Sequence, residues 1–181
     1  MLKMQRSYIP YAVAFVLIFC ICGLVYAEVQ QDLRQTANDP QIQMAEDAAI
    51  QVQAGSQPHF SIQNIDIAKS LSPYLVIFDK QGNPIMSDAL LDGKIPTPPA
   101  GVFDTAKQRG EFLVTWQPRP DVRQALVIVP VKNDAGQFVA AGRSLREVEK
   151  REDKALQMAI AAWVIMLAVS YAGIFLVMKK S

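Results

Sequence analysis

The sequence predicts an α+β domain: a five-stranded antiparallel sheet with a long N-terminal helix, flanked by two transmembrane helices. Three observations predict it. Charge is absent from two long apolar runs, 8–27 and 156–178, one near each end of the 181 residues. Between them the recurrence of apolar residues changes from a helical period to a strand period. The strand signals come as two, then a helical stretch, then three, which implies an antiparallel sheet with one inserted helix.

The first run, Tyr8 to Ala27, reads "YIPYAVAFVLIFCICGLVYA", and the second, Leu156 to Met178, is equally free of charge. At about 1.5 Å rise per residue, about 20 residues cross a hydrocarbon core of roughly 30 Å. Pro10 is expected in the first turn, where its missing N–H is tolerated. Lys3 and Arg6 precede the first run, and Lys179 and Lys180 follow the second. Basic residues in short flanks stay on the cytoplasmic side, so both ends are expected there. The division is then a cytoplasmic N-terminus at 1–7, spans at 8–27 and 156–178, an outer domain at 28–155 and a tail at 179–181. The segment 28–154 holds the other 14 basic residues and all 17 acidic ones, a net of −3. "VYA" before Glu28 resembles a signal-peptide cleavage site, but the apolar run exceeds the usual ~7–15 residues of such a peptide, which favours an uncleaved anchor. Cys20 and Cys22 lie inside the first span and read as packing residues, since bulky Phe19 makes "LIFC" a poor lipid-attachment site. The outer segment has no cysteine, so no disulfide is available to it. The two-span arrangement with its short tail suits a bacterial inner membrane.

The outer domain opens on a polar helical continuation, "EVQQDLRQTA", with a break expected at Asn38–Asp39. Asp39 then reads as an N-cap and Pro40 as the first residue of a helix running to Ala54, with Gly55 as its stop. Ile42, Ala45, Ala49 and Val52 form its apolar face. "NIDIAKSLSP" fits a short helix before Pro73. "YLVIFDKQGNPIMSD" reads as a strand from Leu75 to Asp79, a turn at Gln81-Gly82-Asn83 and a strand from Pro84 to Ser87, with Gly and Asn supplying positive φ. "GKIPTPPAG" is a proline-rich loop, and "VFDTAKQRG" a two-turn helix ended by Gly110. Three strands follow. "EFLVTWQ" alternates, "QALVIVPV" is apolar enough to be covered on both faces, and "GQFVAAGR" comes after the "NDAG" turn. "QPRPDVR" fits a hairpin turn between the first two. Ser144 with Glu147 three residues on spells a capping box, and Glu147 and Arg151 stand at the favourable i,i+4 spacing. The last strand is therefore expected to feed one helix that continues into the second span.

The stretches "YLVIFDKQGNPIMSD", "TWQPRPDVRQALVIVPV" and "FVAAGRSLREVEKRE" together resemble the extracytoplasmic Cache-type, PAS-like sensor regions of two-span histidine kinases and chemoreceptors. The resemblance covers roughly Glu28 to Leu156. It implies small-molecule sensing in a pocket between the sheet and the inserted helix, reported by displacement of the membrane helices. The chain departs from such kinases in having only three residues after the second span. The single histidine, His59, and every acidic residue lie in the outer segment. The expectation is therefore a sensor whose output belongs to a partner protein, whether a kinase, a transporter or a second copy. The alternatives are a non-sensing interaction or assembly protein, or a sensor kinase remnant lacking its transmitter.

Catalytic chemistry finds little support. His59 has no neighbouring His or Cys and reads as a loop residue rather than a metal ligand. No nucleophile–base pair, phosphate loop or basic surface stands out, so the expectation is no enzyme, no cofactor, no metal and no nucleic acid. The ligand-binding candidates are Tyr74, Arg109, Trp116, Arg123 and Arg143, the arginines suited to a small organic anion. Ser144, Glu147 and Arg151 are the candidates for the signal-transmitting helix. Leu145, Val148 and Ala155 could begin a dimer seam, which Glu152 interrupts. Ala168 and Ala172 form a small-xxx-small pair suited to close helix approach within the lipid.

Overall fold

The computed structural model of the chain describes residues 2–36 and 38–180, with the side chains of 8–36 and 38–179. The topology reading placed on Lys3, Arg6 and Lys180 lies outside the described side chains. The chain divides into two compact units, one of residues 1–33 with 150–181 and one of residues 34–149.

The first unit pairs helix α1 (Leu2–Thr36) with the greater part of helix α4 (Arg146–Lys180). Both are long and apolar enough to cross a membrane, and their apolar windows are not buried inside the protein. Pro10 sits inside α1 rather than in its first turn, because the helix already begins at Leu2. The contact between the two helices is aromatic. Tyr11 meets Tyr171 edge-on at 5.1 Å, its carbonyl accepting the Tyr171 hydroxyl at 3.4 Å, and Phe15 meets Trp163 at 5.7 Å. Half-buried Trp163, Leu167, Ser170 and Ile174 recur at spacings of three and four, which sets that face. Ala168 and Ala172 are exposed and lie off it, so the small-residue pair does not build this seam. Cys22 is half-buried on α1, and Cys20 is exposed.

The second unit begins with helix α2 (Asp39–Gln53). Its cap position is Asn38, with Asp39 already helical, a shift of one residue from the sequence reading. The Asn38 side-chain amide donates to the Arg34 carbonyl at 3.3 Å, so it serves the helix that ends there. At the other end Gly55 adopts φ +73°, its N–H reaching Val52 O, while Ser56 N–H reaches Gln51 O. That is the Schellman arrangement, and glycine removes the Cβ penalty of the left-handed residue.

The sheet contains β2 (Tyr74–Phe78), β3 (Pro84–Ser87), β5 (Phe112–Arg119), β6 (Val122–Pro130) and β7 (Phe138–Ser144). Their order is β3-β2-β7-β6-β5, and every neighbouring pair is antiparallel. A smaller parallel ladder joins β1 (Ile65–Asp66) to β4 (Ala89–Leu90). The short helix expected before Pro73 is replaced by β1 and a single turn, in which the Asp66 side chain accepts the N–H of Ala68 and its backbone carbonyl those of Lys69 and Ser70. An Asx side chain that satisfies local amides competes with helix formation in this way. Helix α3 (Gly101–Arg109) lies between β4 and β5 and stops at Gly110, φ +83°.

Two cores result from the alternation of the strands. On one face Ala45, Ala48 and Ala49 of α2 pack against Leu75, Val127 and Val139. On the other, Phe103 and Ala106 of α3 pack against Val76, Phe78, Leu126 and Ile128. Strand β6 is buried on both faces from Gln124 to Ile128, as its apolar run predicted.

The β2–β3 turn is tied by Asp79, whose carboxylate accepts the N–H groups of Gln81 and Asn83 and the Asn83 side-chain amide at 2.8–2.9 Å. Only Gly82 takes positive φ there, at +84°; Asn83 contributes through its side chain instead. The Asn83 side-chain bond, with the backbone bonds behind it, holds the Asp79 carboxyl below its ordinary range. A depressed carboxyl contributes stability that is fully present above its unfolded-state pKa and lost as pH falls through the folded one. The turn should therefore stay closed down to about pH 4 and loosen only below it. Following the Gln81 and Asn83 amide shifts by NMR tests this, and a midpoint above the ordinary carboxylate value would contradict it.

Candidate ligand-binding site

The ligand-binding candidates do not converge on one pocket, because strand alternation divides them between the two faces. Tyr74 is opposite Gly142, and Trp116 is opposite Gln124. All four belong to the α3 face, where Tyr74 and Trp116 meet the core around Phe103. Arg123 and Arg143 follow the parity of Val127 and Ala141 and fall on the α2 face. Both arginines are already engaged. Arg123 pairs with Glu149 at 2.5 Å, and Arg143 Nε donates to the Leu71 carbonyl at 3.3 Å. Arg109, exposed at the end of α3, lies over the Phe112 ring at 5.9 Å, a cation–π distance.

The space between sheet and α3 is filled by aromatic packing. Phe103 meets Phe78 at 4.9 Å and Phe138 at 5.2 Å. The Gly82 turn presses on the same ring, since a Cβ there would lie 2.8 Å from Phe103 Cε2. What opens to solvent is a groove of about 670 Å³ beside it, walled by Trp116, Ile95 and the prolines of the 95–99 loop. Asp92 lies at its edge, paired with Arg119 at 2.6 Å. The proline-rich loop is irregular, as expected, and so presents a fixed wall without sheet or helix hydrogen bonds of its own.

Tyr74 is 1% exposed, and burial, with the nearby Asp88 carboxylate acting the same way, pushes its hydroxyl above its ordinary pKa. It stays neutral and able to donate. Asp88 is itself buried and accepts the N–H of Leu75 at 2.8 Å and of Ser61 at 2.9 Å, anchoring the segment before β1 to the edge of β2. Neither Asp88 nor the fully buried Gln124 was a sequence candidate. A glutamine opening an otherwise apolar strand was the available signal for the second.

No protein-family model matches this chain, and no curated protein matches it. The assignment of function therefore rests on the fold and the geometry.

Two of the three signal-helix candidates, Ser144 and Glu147, lie at the exit of β7. Ser144 is the last residue of β7 rather than a helix cap, and its hydroxyl accepts the N–H of Arg146 at 3.3 Å, two residues on instead of three. Pairing with Gln124 holds Ser144 in the sheet and moves the helix start by one residue, to Arg146. The first turn of α4 is then fixed from two sides. Leu145 N–H reaches the Arg123 carbonyl at 2.9 Å, and Arg146 donates to the Lys69 carbonyl at 2.9 Å. Glu147 is half-buried in this turn, while Arg151, in the other unit, is exposed. His59 lies exposed in an irregular stretch, and among the described residues no His, Cys, Asp and Glu cluster is placed to hold a metal.

Proposed function

We propose that this chain is a membrane-anchored extracytoplasmic sensor module of PAS-like, Cache type, which passes its signal through its membrane helices to a partner protein. In this reading α1 and α4 cross the membrane, both chain ends face the cytoplasm, and the sheet domain lies outside. A hairpin, an inserted segment bearing α3, and a three-stranded meander whose last strand returns beside the first support the PAS-like reading.

The observation that carries the proposal is the clamp at the start of α4. Arg123 holds that helix by its carbonyl to Leu145 and by its guanidinium to Glu149, while α4 continues unbroken to Lys180. A change in β6 or β7 therefore acts directly on the first turn of a membrane-length helix. Both partners of the ion pair are half-exposed, so its role is geometric, and its contribution to stability is at most about 1 kcal/mol. The groove at Trp116 offers a place for a ligand on the surface of the second unit.

The aromatic filling beneath α3 favours a second reading, an interaction or assembly protein of this fold without a ligand. A thermal-shift screen of the full chain in detergent against organic acids, amino acids and nucleobases separates the two. A ligand at a hundredfold excess over its Kd adds about 2.7 kcal/mol, a shift of several degrees for a chain of this length. A compound-specific rise is expected for the sensor. A flat response across the panel favours the assembly reading.

A further inference from the structure

Two fully buried polar atoms on the α3 face of the sheet have no hydrogen-bonding partner: the Tyr74 hydroxyl and Gln124 Oε1. Leaving such atoms unpaired in an interior is costly, and native proteins meet the need with protein groups or ordered water. The two belong to one neighbourhood. Tyr74 is opposite Gly142, and its ring lies across that residue, Cζ and Oη within 2.2 and 2.3 Å of where a Cβ would stand. Gly142 is opposite Leu126, and Gln124 follows two residues along β6 on the same face. Gly142 and Gln124 are thus diagonal neighbours on adjacent strands, within reach of long side chains, and the Tyr74 hydroxyl, from one strand further, lies over Gly142.

The orientation of the Gln124 amide is set by its surroundings. Its Nε2 donates to the Ile67 carbonyl at 3.0 Å, which leaves Oε1 as the open acceptor. The segment 65–72 is held by its alternate carbonyls, Ile67 by Gln124 on this face, Lys69 by Arg146, and Leu71 by Arg143 of the opposite face. Ile65 and Ile67 of that segment share the core with Tyr74. The place is therefore closed, with one acceptor and one hydroxyl unanswered.

We propose that Tyr74 and Gln124 form a buried polar site holding one small neutral molecule that both donates and accepts a hydrogen bond, water being the smallest that qualifies. Neutrality follows from the surroundings. The Asp88 carboxylate acts on Tyr74 from nearby, which disfavours an anion, and Arg123 and Arg143 belong to the opposite face. The bound molecule donates to Gln124 Oε1 and exchanges a hydrogen bond with the Tyr74 hydroxyl, and a buried water typically makes about three such bonds. Gln124 is opposite Trp116, which walls the groove, but the site itself is buried and does not depend on the sensor reading.

The test is a double-mutant cycle on the full chain in detergent, with Tyr74→Phe made in the wild-type and in the Gln124→Leu background. A bridging molecule predicts that Tyr74→Phe lowers the melting temperature by roughly 2–4 °C in the wild type and has almost no effect once Gln124 is gone. An unchanged or raised melting temperature for Tyr74→Phe alone overturns the proposal, as does an equal fall in both backgrounds. Should Gln124→Leu fail to fold, a crystal structure of the wild-type chain with ordered waters resolved decides the matter. Density within hydrogen-bonding distance of both atoms supports the site, and protein atoms packed between them refute it.

Discussion

Gly142→Ala is expected to destabilise the protein by about 3 kcal/mol, the upper part of the usual range for overpacking. The added Cβ would stand 2.2 Å from Tyr74 Cζ, a distance that no relaxation of a few tenths of an ångström repairs. Tyr74 has little room to retreat. It is 1% exposed, and its strand is hydrogen-bonded on both sides, to β3 and to β7. The ring would have to leave its place over β7 and disturb Ile65, Ile67 and Phe103, which share its core. Denaturation of the full chain in detergent measures the loss. Adding Tyr74→Leu to the alanine variant should recover part of it, because the clash is with the ring. A Gly142→Ala protein as stable as the wild type would mean that Tyr74 does not lie across Gly142.

Phe103→Ala should cost about 3–5 kcal/mol, the range for deleting a fully packed aromatic side chain. Phe103 is 5% exposed and contacts Phe78 and Phe138 at once, while the Gly82 turn rests on its edge. Its removal unties α3, the sheet and the β2–β3 turn together. The space left is apolar, and a cavity of that kind stays dry and accepts a benzene-sized molecule. Benzene should therefore raise the melting temperature of the variant and leave the wild type unmoved. If the wild type responds equally, the interior beneath α3 is open rather than filled, and the expected pocket between sheet and helix exists after all.

The parts of this architecture that follow a long period were legible in the sequence. Helices α2 and α3, the five sheet strands and the unbroken α4 follow from apolar spacing, from Gly55 and Gly110, and from the absence of helix breakers after Ser144. The ladder of β1 with β4 was not legible, because two residues carry no period and the pairing is made by chain segments 24 residues apart. The capping box at Ser144 failed for a related reason. A local motif was overridden by pairing with Gln124 across the sheet. Among the site residues, parity along one strand separates Arg123 from Gln124 on sequence alone. Relating Tyr74 to Gln124, or Arg143 to Arg123, needs the register between strands, which no single segment encodes. A glycine within a strand marks a close approach, and at Gly142 what approaches is the ring of Tyr74.

The alternation that splits the candidates also protects the fold against misalignment. A slip of one residue in β6 and β7 would exchange the faces of every side chain on them. Arg123 and Arg143 would then enter the core around Phe103, and Gln124 would lose the Ile67 carbonyl. Two unpaired guanidinium groups in that interior would be far less favourable than any alternative pairing could offset. The arginines that resembled anion-binding residues thus act as proofreading elements: they make the wrong register of the sheet uninhabitable, whatever else the protein binds.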